Sequence, residues 1–427
     1  MLYKSCCPAT GNHIITLSAE GKDHVDKLIK SIYDDKAIPD MDAGLAKAYG
    51  GKLGNAVVEG YGADLAGVDW NSPDYATISA LQNNVWQFSA AKTRTQLIDF
   101  GKALIGPDGK IRSFDDFQRA AQQITDEQLR WLRTEYDTTV AGAQMAAKWQ
   151  RIQAEKDTFP MLEFDAVLDS HSSTICPPLD KVRKPVDHPF WLKWYPPNHF
   201  NCRSTVRQLT EGEETPDDQI VYPEKISPMF AGNVGVSGII FPKDHPYYEG
   251  VEPHIVDNAT LYMPEEEQYL ITYEPEKGDG GVTVNRKTLI ADKPDLEQLQ
   301  QAAEALANAG KKVEILPEIH AAESALRDEL LPDAKPNKNP DMRVDGNYTE
   351  VKAPGAPLSV DKLEKAISKG IRQANDLVIL LEEDFDKDAL KSAAENRFNL
   401  YPELDNVGFV TIDGEYVEFK NDKRQKK

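Results

Sequence analysis

Two stretches of this chain hold residue types that could do chemistry. In the first, NPDMRVDGNYTEVKAP, Asp341 precedes a turn at Asp345 and Gly346, and Glu350 and Lys352 follow it at alternate positions. Asp-Gly between two short apolar runs is a strong hairpin signal, so 341–344 and 348–352 are expected to be paired strands. Alternate residues of a strand share a face. Glu350 and Lys352 are therefore expected side by side, with Val351 turned to the core and Asp341 across from them. Two carboxylates so placed can hold Mg2+, and the lysine can orient water or offset phosphate charge, which is what phosphodiester cleavage needs. Gln373, read as lying on a helix over 360–375, can approach the same place. Lys335, Lys338, Lys362, Lys365, Lys369 and Arg372 flank it and could supply local positive charge. Charge patterning alone favours a simpler reading, the solvated face of a hairpin beside a helix whose Lys362, Lys365 and Lys369 face water.

The second stretch, LDSHSSTICPPLDKVRKPVDHPFWLKWYPPNHFNCRSTVRQL, sets His199 three residues before Cys202 and 23 after Cys176. Thiolates and an imidazole suit zinc, and His171, Asp169 or Asp180 could bring a fourth ligand. The three are one short of the four a structural site takes, which puts zinc behind two readings without metal. Those are a Cys176 to Cys202 disulfide formed after release from the cell, and two buried thiols beside a core histidine. The remaining cysteines, Cys6 and Cys7, stand together near the start. Four in 427 residues make no disulfide scaffold.

These stretches need elements to hold them. From about residue 21 to 155 the spacing of apolar residues predicts helices, over 25–32, 80–104 and 117–152, with Thr125 read as starting a helix. Residues 156–210 read as a small, irregular α+β unit rich in aromatics and prolines. Residues 211–286 read as a partly structured connector, and 287–427 as an α/β domain. In that domain a helix over 296–309 and a strand over 312–316 precede the hairpin. A helix over 360–375, a strand over 377–381, a helix over 388–398 and a hairpin over 407–419 follow it. The expected fold class is thus multidomain: a helical first region over 1–155, a small α+β unit, then an α/β domain.

The balance of 49 Lys plus Arg against 70 Asp plus Glu, net charge -21, argues against a general DNA-coating role. No stretch is long and apolar enough for a bilayer span, and the run at 14–17 is too short for a secretory signal, so no membrane partner is expected and the chain is expected to be made and kept in a cytoplasm.

The order Asp169, Thr174, Cys176, Leu179, Asp180, then YPPNHFNCR over 195–203 and Val206, with Arg133, Thr134 and Glu135 upstream, resembles the phage Mu F-like head morphogenesis proteins over 78–209. That resemblance implies a minor head protein, present in a few copies at the portal of a tailed-phage procapsid, with portal and head proteins as partners and the virion as its place. Where many members carry a further cysteine, this chain has Leu179 and Ser204. Over 296–381, GKKVEILPEI, KNPDMRVDG, EVKAP and IRQAND resemble the tRNase domains of contact-dependent inhibition toxins, of the PD-(D/E)xK superfamily. This second likeness implies a metal-dependent nuclease that acts on tRNA or another nucleic acid and is met by an immunity protein, with Asp341, Glu350 and Lys352 as its core, Gln373 on the following helix, and a first-helix glutamate for which Glu297, Glu304 and Glu318 are all candidates. Three readings follow: a head protein carrying a nuclease, a toxin effector riding on a head module, or a purely structural virion protein with an inactive last domain.

Overall fold

A computed structural model describes residues 15–291, 293–320 and 323–421. The chain forms two compact units, Met1–Met263 and Pro264–Lys427. Among the described residues no helix is long and apolar enough to cross a membrane.

The first unit is built on α1 (Ala19–Asp35), α2 (Ala43–Tyr61), α3 (Pro73–Leu104) and α4 (Phe114–Glu155). Ser72 caps α3, its hydroxyl accepting from the Tyr75 amide at 3.2 Å with Pro73 in the first turn, and Ser113 caps α4 ahead of Asp115 and Asp116. Each supplies an acceptor to orphan amides, and the acidic pair matches the positive end of the helix dipole. Thr125 does not start a helix. It sits inside α4, donating to the Ala121 carbonyl at 3.0 Å and accepting from Gln96 Nε2 at 3.2 Å. The glycine-bearing α2 lies against α3 and α4 because its glycines permit close approach: a Cβ on Gly60 would stand 2.4 Å from the Val140 carbonyl oxygen. Lys92 on α3, fully buried, donates to Glu135 Oε1 on α4 at 3.0 Å and to the Tyr247 hydroxyl at 3.2 Å.

After α4 come β1 (Met161–Asp165), β2 (Arg183–Pro185), α5 (Phe190–Trp194) and β3 (Thr205–Leu209), the strands forming an antiparallel sheet in the order β2-β1-β3. The chain then returns through α6 (Val234–Ser237) and α7 (Pro253–Asp257) onto the helices. Phe241 stacks on Phe88 at 3.9 Å between centroids, and Asn84 accepts from the amides of Ile240 and Phe241 at 2.9 and 2.8 Å. The segment expected as a connector, 211–286, is therefore divided. Its buried apolar islands seal the first unit up to Met263, and its remainder forms strands of the second.

The second unit is one sheet of eight strands in the order β11-β10-β9-β8-β7-β6-β5-β4. Along the chain these are β4 (Tyr269–Tyr273), β5 (Gly281–Asn285), α8 (Arg286–Ile290), α9 (Leu296–Asn308), β6 (Lys312–Ile315), α10 (Ser324–Leu330), β7 (Met342–Val344), β8 (Asn347–Lys352), α11 (Val360–Gly370), β9 (Asp376–Leu380), α12 (Lys387–Leu400), β10 (Asn406–Val410) and β11 (Tyr416–Lys420). Strands β5 and β6, β8 and β9, and β9 and β10 run parallel; the other neighbours are antiparallel. One apolar cluster joins α9 residues Leu299, Ala303 and Leu306 to Val313, Met342, Val351 and Val378. The other joins Leu363, Ile367 and Leu390 of α11 and α12 to Leu377, Ile379 and Phe409. Both faces of the central strands are thus covered, which accounts for the unbroken apolar run in β9. A boundary at 287 would remove β4 and β5, which extend the sheet beyond β6.

Candidate functional site

The hairpin β7–β8 turns at Asp345 and Gly346, with φ of 47° and 88°. Positive φ at both central residues is the two-residue turn whose twist matches its strands, and it sets the register. Met342 pairs with Thr349 and Val344 with Asn347, so continuing the ladder sets Asp341 opposite Glu350. Parity then does what the spacing implies. Met342 and Val351 pack in the cluster under α9, while Glu350 and Lys352 take the other face, in register with Leu377 and Ile379.

The cavity formed there has a volume of about 390 Å³, and its walls include Asp295, Glu318, Asp341, Glu350, Lys352 and Gln373. The site residues read from the sequence therefore meet in one place. Asp341 Oδ2 accepts from the Val351 amide at 2.9 Å. Glu350 is 3% exposed; its Oε1 accepts from Lys352 Nζ, and its Oε2 has no hydrogen-bond partner. Burial, then the negative charge of Asp341, pushes the Glu350 carboxyl up to about 7 against the pull of Lys352. Two further buried oxygens on the cavity wall also lack partners, Asp295 Oδ1 and Gln373 Oε1.

Three placements differ from expectation. Helix α11 stops at Gly370, and Gln373 lies in the turn that follows, its amide donating to the Gly370 carbonyl at 2.8 Å. Glu297 and Glu304 are exposed on α9 and do not line the cavity; Glu318, past the end of β6, stands at its rim. Of the flanking bases only Lys338 joins Lys352 on the wall, with Lys293 as a third. Lys335 turns to the Ile371 carbonyl, Lys362 to the Gly355 carbonyl, and Lys365 pairs with Asp361 at 2.7 Å.

Asp295 and Lys293 were not legible as site residues. An aspartate just before a helix reads as an N-cap, yet Asp295 makes no side-chain cap bond. Lys293 Nζ lies 3.5 Å from Asp295 Oδ2 and 3.6 Å from Asp341 Oδ1, bridging the two carboxylates. A larger neighbouring cavity, about 570 Å³, shares Gln373 but is lined by Glu265, Glu329, Asp333, Asp376 and Asp405 against Lys335 and Arg343, a poor match for a polyanion.

In the first unit Cys176, His199 and Cys202 come together, all buried, with one ligand atom of each within 4.8 Å of the others. The two sulfurs are 3.6 Å apart and both thiols are free. A turn closes the pair from β3's side, the Cys202 amide donating to the His199 carbonyl at 3.2 Å with Asn201 in the left-handed region at φ 56°. His199 Nδ1 donates to the Phe200 carbonyl at 2.8 Å. The suggested fourth ligands do not arrive. Asp169 is held by Arg203 in two bonds of 2.8 Å, Asp180 accepts from the Ala166 amide at 2.9 Å, and His171 is exposed. Cys6 and Cys7 lie outside the described residues.

Residues 111–207, from the approach to α4 through most of β3, match the family model described as Phage Mu protein F like protein. A protein of Escherichia phage Mu named for capsid assembly, protein F, is 30% identical over 95 residues, which are 22% of this chain and 22% of that protein. The chain thus spans about a fifth of the length of the curated relative it matches. Among solved structures, a chain of the CdiA-CT/CdiI toxin and immunity complex from Burkholderia pseudomallei is 24% identical, with a TM-score of 0.21 over 35% of this chain and 94% of that one. A likeness of that degree leaves the chemistry of the last unit to its own residues.

Proposed function

We propose that this chain is a minor head protein of a tailed phage or prophage, acting at the portal in procapsid assembly and genome packaging or delivery, and that residues 264–427 are a metal-dependent nuclease. The head reading rests on the family match over 111–207 and on the capsid-assembly name of the phage Mu relative. The nuclease reading rests on one observation: Glu350 Oε2, Asp295 Oδ1 and Gln373 Oε1 are buried without partners around one cavity that also holds Asp341 and Lys352. Orphaned acceptors are costly unless a cation or water satisfies them.

Those oxygens fit a hard cation such as Mg2+, with Asp295, Asp341 and Glu350 to hold it. When bound, the ion would supply Lewis acidity and lower the pKa of a coordinated water. Lys352, already fixed on Glu350 Oε1, stands where it can orient that water or meet the scissile phosphate. Lys293 and Lys338 add positive charge on the same wall, so a chain of net charge -21 still offers a phosphate a local welcome. Gln373 can position the substrate or the ion from the turn before β9.

Two measurements test the parts separately. Mass spectrometry of purified particles should find the chain in substoichiometric amount; particles free of it would end the head reading. Full-length protein should cleave tRNA or another nucleic acid with Mg2+ present, and Lys352→Ala should lose that activity with an unchanged melting profile. If wild type leaves tRNA and DNA intact with Mg2+ and with Mn2+, the nuclease reading fails and a structural role for the last unit stands.

A further inference from the structure

We infer that Cys176, His199 and Cys202 form a zinc site whose fourth position is taken by the Asn198 carboxamide oxygen. The three ligand side chains are 3%, 5% and 7% exposed and already stand together, with one ligand atom of each within 4.8 Å of the others. Asn198 supplies an independent sign of a missing partner. It is 0% exposed, its Nδ2 donates to the Trp194 carbonyl at 3.1 Å, and its Oδ1 has no hydrogen-bond partner. The Asn198 side chain donates to the Cys176 sulfur, as the Ser204 hydroxyl also does, so the carboxamide lies beside the cluster. Among the described residues no fourth His, Cys, Asp or Glu joins the set; of the two neutral side chains on Cys176, Asn198 and Ser204, Asn198 is the one with a buried oxygen that lacks a partner, and it is assigned to the tetrahedral ion.

The donor chemistry selects the metal. Two sulfurs and an imidazole favour zinc over magnesium or calcium, which prefer all-oxygen sites. His199 is also oriented as a ligand: Nδ1 is spent on the Phe200 carbonyl, which leaves Nε2 for the ion. The ion would join the loop between β1 and β2 to the turn that enters β3, on either side of the central strand of a three-stranded sheet. In a region made mostly of loop, binding of that kind is folding free energy. The site goes beyond the proposed assembly role and does not depend on it.

The test uses full-length protein carrying Cys6→Ser and Cys7→Ser, purified under reducing conditions without chelator. Elemental analysis should find about one zinc per chain, and added zinc should shield both remaining thiols from alkylation. Replacement by Co2+ should give thiolate-to-cobalt charge-transfer absorption, which a carboxylate site in the other unit cannot produce. Cys176→Ser, a nearly isosteric change, should abolish that band. Asn198→Leu should keep it and weaken Co2+ binding by roughly 10- to 100-fold. Reduced protein that holds no zinc and shows no cobalt band would overturn the proposal without recourse to any variant. A band that survives Cys176→Ser would overturn it too, and unchanged affinity in Asn198→Leu would overturn the fourth position.

Discussion

Glu350 makes the site on the β7–β8 hairpin measurable without a substrate. Its carboxyl is 3% exposed, faces the charge of Asp341, and sits at about 7 in place of its ordinary 4.5. The unfolded chain keeps the ordinary value, so folding takes up a proton in the interval between them. The sign follows from linkage: stability is fully present below about pH 4.5, falls as the pH rises toward about 7, and levels off above it. Raising a carboxyl that far costs its ionised form at most about 3 kcal/mol at neutral pH. Mg2+ binds the ionised form and should return most of that loss above about pH 7. Glu350→Gln cannot ionise, so it should flatten the pH slope and also lose the Mg2+ response. Hydrogen–deuterium exchange of peptides covering 341–352 in the full chain reads the local opening free energy. Comparing wild type with the variant at each pH cancels the intrinsic exchange rate. Equal slopes for the two proteins, with Mg2+ stabilising both alike, would refute the reasoning.

Two predictions concern the helical unit. Lys92→Met should cost roughly 3–5 kcal/mol in urea unfolding, because it strands Glu135 in a fully buried place, while the double change Lys92→Met with Glu135→Leu should recover most of the loss; a single variant as stable as wild type would show the pair to be dispensable. Gly60→Ala should cost about 1–3 kcal/mol, since the new Cβ would stand 2.4 Å from the Val140 carbonyl oxygen. Gly51→Ala on the same helix, where a Cβ meets nothing within 4 Å, should instead gain about 0.5–1 kcal/mol, and the same sign at both positions in thermal melts would refute the packing argument.

Much of the last unit was open to local reading. Apolar spacing marked α9 and α12, and Asp345 with Gly346 marked the β7–β8 turn. Period-two alternation then required Glu350 and Lys352 to share a face with Asp341 opposite, because a strand has no other way to arrange its side chains. In the first unit the same logic marked α3 and α4, but Thr125 looked like a cap, because its partner Gln96, which donates to it from α3, is 29 residues away.

The sequence by itself determined what depends on neighbours a few positions apart: helix and strand periods, the hairpin and the side on which its charges lie. Only the tertiary structure decided what depends on contacts between distant residues. Asp295 carries a cap signal in the chain but lies 46 residues from Asp341 and meets it through Lys293 across a folded cavity. Cys176 lies 26 residues from Cys202, and only the turn at His199 and the pairing of β1 with β3 bring the sulfurs to 3.6 Å. Helix α2 was not among the helices marked by apolar spacing: its glycines are poor helix formers by propensity, which counts the backbone's freedom and not the neighbouring helix they let in. The strands β4 and β5 looked like connector for a like reason: a short strand's stability resides in the partner it joins, and the pair they make is held to the sheet through β6, which comes later in the chain.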